Sequence, residues 1–228
     1  MKDLQIRILT GLHRDAHRLF ACAGGCCIHF LALPVGSGNV SLYNEGIHKR
    51  IYPTPTIGMV GLGSLPEPLP IGFTSTNLIV AVVGSTHPED DDLDDLPTVD
   101  IAEEIHHQQL IREGIHSQLF RACLSVDRGG LLRALQQCIV ANQIGFQWTY
   151  PVKENQFWSF LRCESNGRYL IVFSPAQEDT VQRLFQGKAP LTILGTTIPD
   201  YLRLLDLANF TVSDILNRYQ HAFRDCMD

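Results

Sequence analysis

Hydrophobic and polar positions are grouped in blocks along the chain, and the spacing within each block predicts its secondary structure. Apolar residues recur at near-helical spacing over residues 12–27, which predicts a helix there. The next run, residues 28–35, is short and apolar and is closed by Pro34 and Gly36. This run predicts a buried strand directly after the helix.

After the connector YPTP at residues 52–55, where each proline favours extended backbone, the pattern resembles that of a new domain. Four apolar runs predict strands, at residues 56–62, 78–83, 169–173 and 191–194. Four amphipathic stretches predict helices, within residues 100–126 with an end near Leu124, and at 129–141, 178–186 and 212–223. This order predicts an α/β (α+β) fold, a mixed sheet with helices.

Composition and charge limit the size of the fold, the partners of the protein and its cellular compartment. The chain has 228 residues, of which 45% are hydrophobic and 18% charged, so it is long enough for one large domain or for one domain with a fragment of another. Its net charge of -6 and the absence of a Lys/Arg stripe argue against a nucleic-acid partner. Seven cysteines without the spacing of a disulfide scaffold favour the reducing cytoplasm.

One apolar segment resembles a targeting or membrane segment. Residues 19–35 lie near the N-terminus behind Arg14 and Arg18, as the apolar core of a signal peptide would. The run is short for a membrane span, however, and His29 and a pair of glycines interrupt it. We therefore predict no membrane association.

The segment GSGNVSLYNE, residues 36–45, contains the first candidate chemistry. Gly36 and Gly38 let backbone N–H groups approach a phosphate. Asn39 offers an amide oxygen to a hard cation, and Ser41 offers a hydroxyl group. By spacing alone, a tight turn that needs positive φ explains the glycines better than a phosphate site does.

A family resemblance changes this interpretation. GNVSLYNE at residues 38–45, followed by IYPTPTIGMVGL at 51–62, resembles the signature of formylglycinamidine ribonucleotide synthase, the ATP-dependent ligase of purine biosynthesis. The resemblance implies that Gly38 contacts ATP, that Asn39 binds magnesium and that Ser41 contacts the ribonucleotide substrate. It also implies two domains: residues 1–50 as a remnant of a nucleotide-binding lobe, and residues 51–228 as an aminoimidazole ribonucleotide synthetase-like C-terminal domain.

Two further segments extend the resemblance but depart from the family pattern. ACLSVDRGGL, residues 122–131, resembles A-H-D-V-S-E-G-G-L, with Leu124, Ser125 and Arg128 where the family has His, Asp and Glu. ESNGR, residues 164–168, resembles the E-S-x-x-R turn that contributes to ligand binding in the catalytic half of the family. The glycines of the first segment predict a turn and a helix start, and the second segment suits an architectural role as well as a ligand-binding one.

The family's histidine and carboxylate motif, E-S-H-N-H-P, has no match, and only the last helix and strand of its second nucleotide-binding lobe precede Gly36. We therefore assign no catalytic residue and expect a fragment or subunit that is not catalytic alone. The exposed apolar faces of a partial lobe predict a homo-oligomer or a complementary synthase chain as partner. The alternative is a non-catalytic module that binds nucleotide or protein.

Two other groups have the spacing or residue types of metal sites. His13 and His17 are four residues apart on the first predicted helix, but no third ligand is evident, so a solvated helix face explains them better. The C-x-x-C spacing and a second cysteine pair are missing around Cys22, Cys26 and Cys27, so small buried hydrophobic residues explain them better than a metal or redox site does.

The acidic run and the histidine pair further along favour ordinary explanations. The run EDDDLDD at residues 89–95 lies between prolines and lacks the spacing of an EF-hand, which predicts a solvated loop. His106 and His107 point about 100° apart on a helix, so they cannot easily share a metal. We predict that they lie on a partly exposed helix.

Overall fold

The computed structural model describes residues 68–87 and 100–225, with side chains to residue 222. These residues lie within one compact unit, Leu65–Asp228. The predicted domain boundary after residue 50 and every element predicted before residue 68 lie outside the described residues, so they stay predictions.

A mixed sheet of seven strands organises the described residues, in the order β2-β4-β1-β5-β3-β6-β7. All neighbouring strands run antiparallel except β3 and β6, which are parallel. This arrangement confirms the predicted mixed sheet. The strands are β1 Ile79–Val83, β2 Ala122–Val126, β3 Gly145–Trp148, β4 Arg168–Phe173, β5 Leu191–Ile198, β6 Tyr201–Leu204 and β7 Ala208–Thr211.

Five helices of the described residues cover the two faces of this sheet. They are α1 Ile101–His116, α2 Gly130–Asn142, α3 Glu154–Arg162, α4 Glu178–Phe185 and α5 Val212–Asp225. Side chains of α1 and α4 pack in the core on one face, and side chains of α2, α3 and α5 pack in the core on the other. Because both faces of β1 are covered, all five of its residues are buried, and a continuous apolar run is the expected sequence for it.

The helices begin and end at residues whose local chemistry explains the boundary. Asp100 is the N-cap of α1, and its carboxylate accepts hydrogen bonds from the backbone N–H groups of Ala102 and Glu103 at 2.9 and 3.0 Å. Gln143 ends α2 in the left-handed conformation, with φ of 58°. Among the described residues, no helix has the length and hydropathy to cross a bilayer.

The structure corrects one predicted helix. The helix predicted to end near Leu124 ends at His116, Gln118 takes a positive φ of 55°, and Ala122–Val126 forms β2. The reason is tertiary: β2 satisfies its backbone groups by pairing with β4, with Cys123 opposite Ile171. The strands predicted at 78–83 and 169–173 and the three later helices are confirmed, with small shifts of their ends. The strand predicted at 191–194 is also confirmed, but it continues through Gly195 to Ile198.

Candidate functional site

The start of α2 is a glycine turn that no other residue could form without strain. Gly129 and Gly130 have φ of 84° and 62°. A Cβ atom at Gly130 would lie 2.6 Å from the carbonyl oxygens of Leu161 and Cys163. The turn and helix start predicted from these glycines are therefore confirmed.

The three positions at which the sequence departs from the family pattern lie just before this turn. Leu124 is partly buried and packs against the core on the face of α2, whereas Ser125 and Arg128 are exposed. A leucine, a neutral hydroxyl group and a guanidinium cannot exchange protons near neutral pH as imidazole and carboxyl groups do. These positions therefore provide no general acid or base.

The structure brings the two family-like segments together. The Glu164–Arg168 turn, which joins α3 to β4, lies beside the start of α2, and the Glu164 carboxylate accepts a hydrogen bond from the backbone N–H of Gly129 at 2.8 Å. The sequence pattern identifies both segments but not their contact. The contact is between a side chain and a backbone group 35 residues apart, which leaves no pattern in the sequence.

Arg168 holds this turn from inside the protein. Its side chain is 1% exposed, and its guanidinium donates to the carbonyl oxygens of Ser165 and Cys163 and to the hydroxyl oxygen of Thr86. A buried cation is costly unless hydrogen bonds compensate for its lost hydration. These contacts place Arg168 in the architecture of the turn, which supports the architectural interpretation of ESNGR.

The histidine pair lies on helix α1, which is partly exposed as predicted, and within this pair His107 is the buried member. Its side chain is 2% exposed, and Nδ1 lies 2.9 Å from the carbonyl oxygen of Gly167. A carbonyl oxygen only accepts, so Nδ1 carries the hydrogen. His106, about 100° away around the helix, is exposed.

Next to this contact, a tyrosine and a carboxylate share a hydrogen bond. The Tyr169 hydroxyl group donates to Glu104, whose carboxylate also accepts from Gln108 at 2.8 Å. Burial, and then the hydrogen bond and the charge of Glu104, raise the pKa of Tyr169 far above its usual range. Tyr169 is therefore a neutral hydrogen-bond donor at physiological pH and not a proton carrier.

Two cysteines near the sheet edge are held as neutral thiols. Burial raises the pKa of Cys123 and of Cys138 from an ordinary value near 9.0 to about 12. The thiolate is the nucleophile and the metal ligand, so neither residue is suited to either role.

We expect Cys123 and Cys138 to resist alkylation by iodoacetamide at pH 8 in the folded protein and to react rapidly in denaturant. Because folding raises their pKa, the unfolded thiols lose protons first as pH rises, so the protein loses stability between about pH 9 and 12. Trypsin places the two cysteines in different peptides, because Arg128 and Arg133 lie between them. Mass spectrometry of these peptides therefore reports the labelling of each cysteine. Rapid labelling of both in the folded state would contradict the raised pKa.

No group of three or more His, Cys, Asp or Glu side chains in the described ranges is placed to hold a metal ion. An open groove of about 700 Å³ lies between α4 and the start of β5, and its lining includes no residue of the two family-like segments. Gly38, Asn39 and Ser41, for which the resemblance implies contacts with ATP, magnesium and substrate, lie outside the described residues, and so do His13, His17, the acidic run and the three early cysteines.

Curated relatives support the resemblance. The chain is 30% identical over 225 residues to the phosphoribosylformylglycinamidine synthase subunit PurL of Rhodopseudomonas palustris, covering 92% of this chain and 31% of that protein. It is 32% identical over 206 residues to the PurL subunit of Lacticaseibacillus casei, covering 85% of this chain and 27% of that protein. The chain therefore spans less than a third of the length of these relatives.

Solved structures show the same fold. Thermotoga maritima PurL complexed with FGAR aligns with a TM-score of 0.55 at 15% identity, over 65% of this chain and 29% of that one. The structure of PurLQS from Thermotoga maritima aligns with a TM-score of 0.58, also at 15% identity, over 65% of this chain and 27% of that one. The family profile of the AIR synthase related protein, C-terminal domain, matches residues 59–204. The chain is therefore a member of the AIR synthase-related family, and it carries that family's C-terminal domain.

Proposed function

We propose that the chain is a part of a phosphoribosylformylglycinamidine synthase, the ATP-dependent ligase of purine biosynthesis, and that it does not catalyse the reaction by itself. Its similarity to PurL subunits over most of its own length supports the first half of this proposal. The second half rests on the start of α2.

The observation that carries the proposal is a retained scaffold with changed chemistry. The glycine turn and the helix start are intact, whereas Leu124, Ser125 and Arg128 stand where the family has His, Asp and Glu. Phosphoryl transfer to an amide oxygen needs charge neutralisation by metal ions and cationic groups held in place. The Arg128 side chain is exposed, and within the described residues no hydrogen bond or ion pair holds it in place.

For the segment at residues 38–45 we propose the roles that the resemblance implies. The backbone of Gly38 contacts ATP, the amide oxygen of Asn39 binds magnesium, and the Ser41 hydroxyl group contacts the ribonucleotide. Bound ATP would supply the phosphoryl group. These residues hold and orient their ligands, while the acid and base groups of the reaction come from elsewhere.

A second candidate is a non-catalytic module that binds nucleotide or another protein. The loss of proton-transfer groups at Leu124, Ser125 and Arg128 favours it, because a binding module does not need them. In either case we propose a cytoplasmic protein that works with a complementary synthase chain or as a homo-oligomer. Recovery of a partner in stoichiometric amounts would support both candidates. Synthase activity that appears only when the chain and this partner are combined would favour the first candidate over the second.

We expect the purified chain to show no turnover with ATP, magnesium, formylglycinamide ribonucleotide and either ammonia or glutamine. The absence of proton-transfer groups at the start of α2 is the physical reason. Release of ADP and formation of the amidine product are the two quantities to measure, with Asn39→Ala as control for contaminating enzymes. Turnover that is present in the native chain and lost in Asn39→Ala would contradict the proposal.

A further inference from the structure

The Glu164–Arg168 turn contacts three separate segments of the described chain. Through Glu164 it binds the backbone N–H of Gly129, at the start of α2. Through Ser165 it binds both backbone groups of His87, which follows β1. Through Gly167 it accepts a hydrogen bond from His107 of α1. Since α1 and α2 pack on opposite faces of the sheet, the turn joins two layers.

From these contacts we propose that the Glu164–Arg168 turn is a conformational junction, through which a local opening of α1 is transmitted to the start of α2. This inference is independent of the proposed function, because it concerns only the coupling between two helices.

The turn can transmit motion because it is held as one body. Arg168 donates to the carbonyl oxygens of Ser165 and Cys163, at 3.0 and 2.5 Å, so the backbone on both sides of Glu164 is fixed to one buried guanidinium. A rigid turn cannot let Gly167 move while Glu164 stays in place. Losing the contact at one end therefore weakens the contact at the other.

Two backbone amides report on the junction without lying in the helix that is perturbed. The Gly129 N–H is protected by Glu164 at 2.8 Å, and the His87 N–H by the Ser165 hydroxyl oxygen at 3.0 Å. Neither amide contacts His107. Faster hydrogen exchange at these amides after a change at His107, with native exchange rates in the central strands β1 and β5, therefore reports coupling through the turn.

The test is hydrogen–deuterium exchange on the whole chain with His107→Ala, and with His106→Ala as matched control. A lost hydrogen bond of about 1 kcal/mol net corresponds to an approximately fivefold change in an opening equilibrium. We expect the Gly129 and His87 amides to exchange about fivefold faster in His107→Ala and at the native rate in His106→Ala. Faster exchange confined to α1 would overturn the proposal.

A reciprocal variant keeps the test decisive if His107→Ala does not fold. Coupling between two sites is the same in both directions, so Glu164→Ala should speed exchange of the α1 amides near His107 by a similar factor. Glu164 is exposed, so its removal leaves no cavity. Glu154→Ala, an exposed glutamate in the first turn of α3, is the control. Native exchange in α1 of Glu164→Ala would contradict the junction.

Discussion

Replacing Gly195 by alanine is expected to destabilise the protein by about 3 kcal/mol or more, at the upper end of the range for overpacked sites. Gly195 lies in β5, opposite Val80 of β1 on one side and Trp148 of β3 on the other. A Cβ atom there would overlap the carbonyl oxygen of Gln147 and lie 3.0 Å from the Phe146 ring. Backbone of a central strand cannot move aside as a flexible side chain can, so β3 would have to shift.

The measurement is the free energy of unfolding from denaturant titration. Gly187→Ala is the matched control, because Gly187 has a positive φ of 67° but open space around its Cβ position. Its cost should be about 1 kcal/mol, from the left-handed backbone alone. A cost for Gly195→Ala no larger than that of Gly187→Ala would show that β3 and β5 can separate freely.

Replacing Arg168 by methionine is expected to cost about 3 kcal/mol, the second large effect. Methionine fills similar space but donates no hydrogen bond, so the buried carbonyl oxygens of Ser165 and Cys163 lose their donors. Each buried polar group left without a partner costs about 1–3 kcal/mol. Arg168→Lys should lie between, because one ammonium group keeps the charge but cannot reproduce the planar array of donors.

Arg133→Met provides the comparison for Arg168→Met. Arg133 is an exposed arginine on α2, and surface changes of this kind usually stay within about 0.5 kcal/mol. Unfolding of both variants by urea gives the difference directly. Equal stability of the two variants would mean that the turn does not depend on the buried guanidinium.

The parts of the fold that could be predicted from sequence are those that local pattern determines. The runs at 78–83 and 169–173 are apolar because both of their faces are covered, and helix α2 begins at the second glycine of a pair that only a turn explains. By contrast, β2 depends on its pairing with β4, so its residues appeared to continue a helix. Four elements, β3, α3, β6 and β7, were not predicted, and three of them are strands of four residues, too short to show a clear period.

The candidate site, too, could be predicted from the sequence only in part. Resemblance identified residues 122–131 and 164–168 and the three altered positions, because those are properties of the sequence itself. The buried state of His107 and the bond between Glu164 and Gly129 depend on how distant segments meet. The contacts proposed for Gly38, Asn39 and Ser41 are still predictions, and they carry the central claim of retained nucleotide binding.

Calorimetric titration of the whole chain with ATP and magnesium, compared with Asn39→Ala, tests that claim most directly. Asn217→Ala, an exposed asparagine on α5, is the matched control. We predict binding that Asn39→Ala weakens by about tenfold or more, since changing even an outer-shell partner of a metal ligand has effects of this order. Absence of binding, or equal affinity in Asn39→Ala and the native chain, would contradict nucleotide binding through this segment.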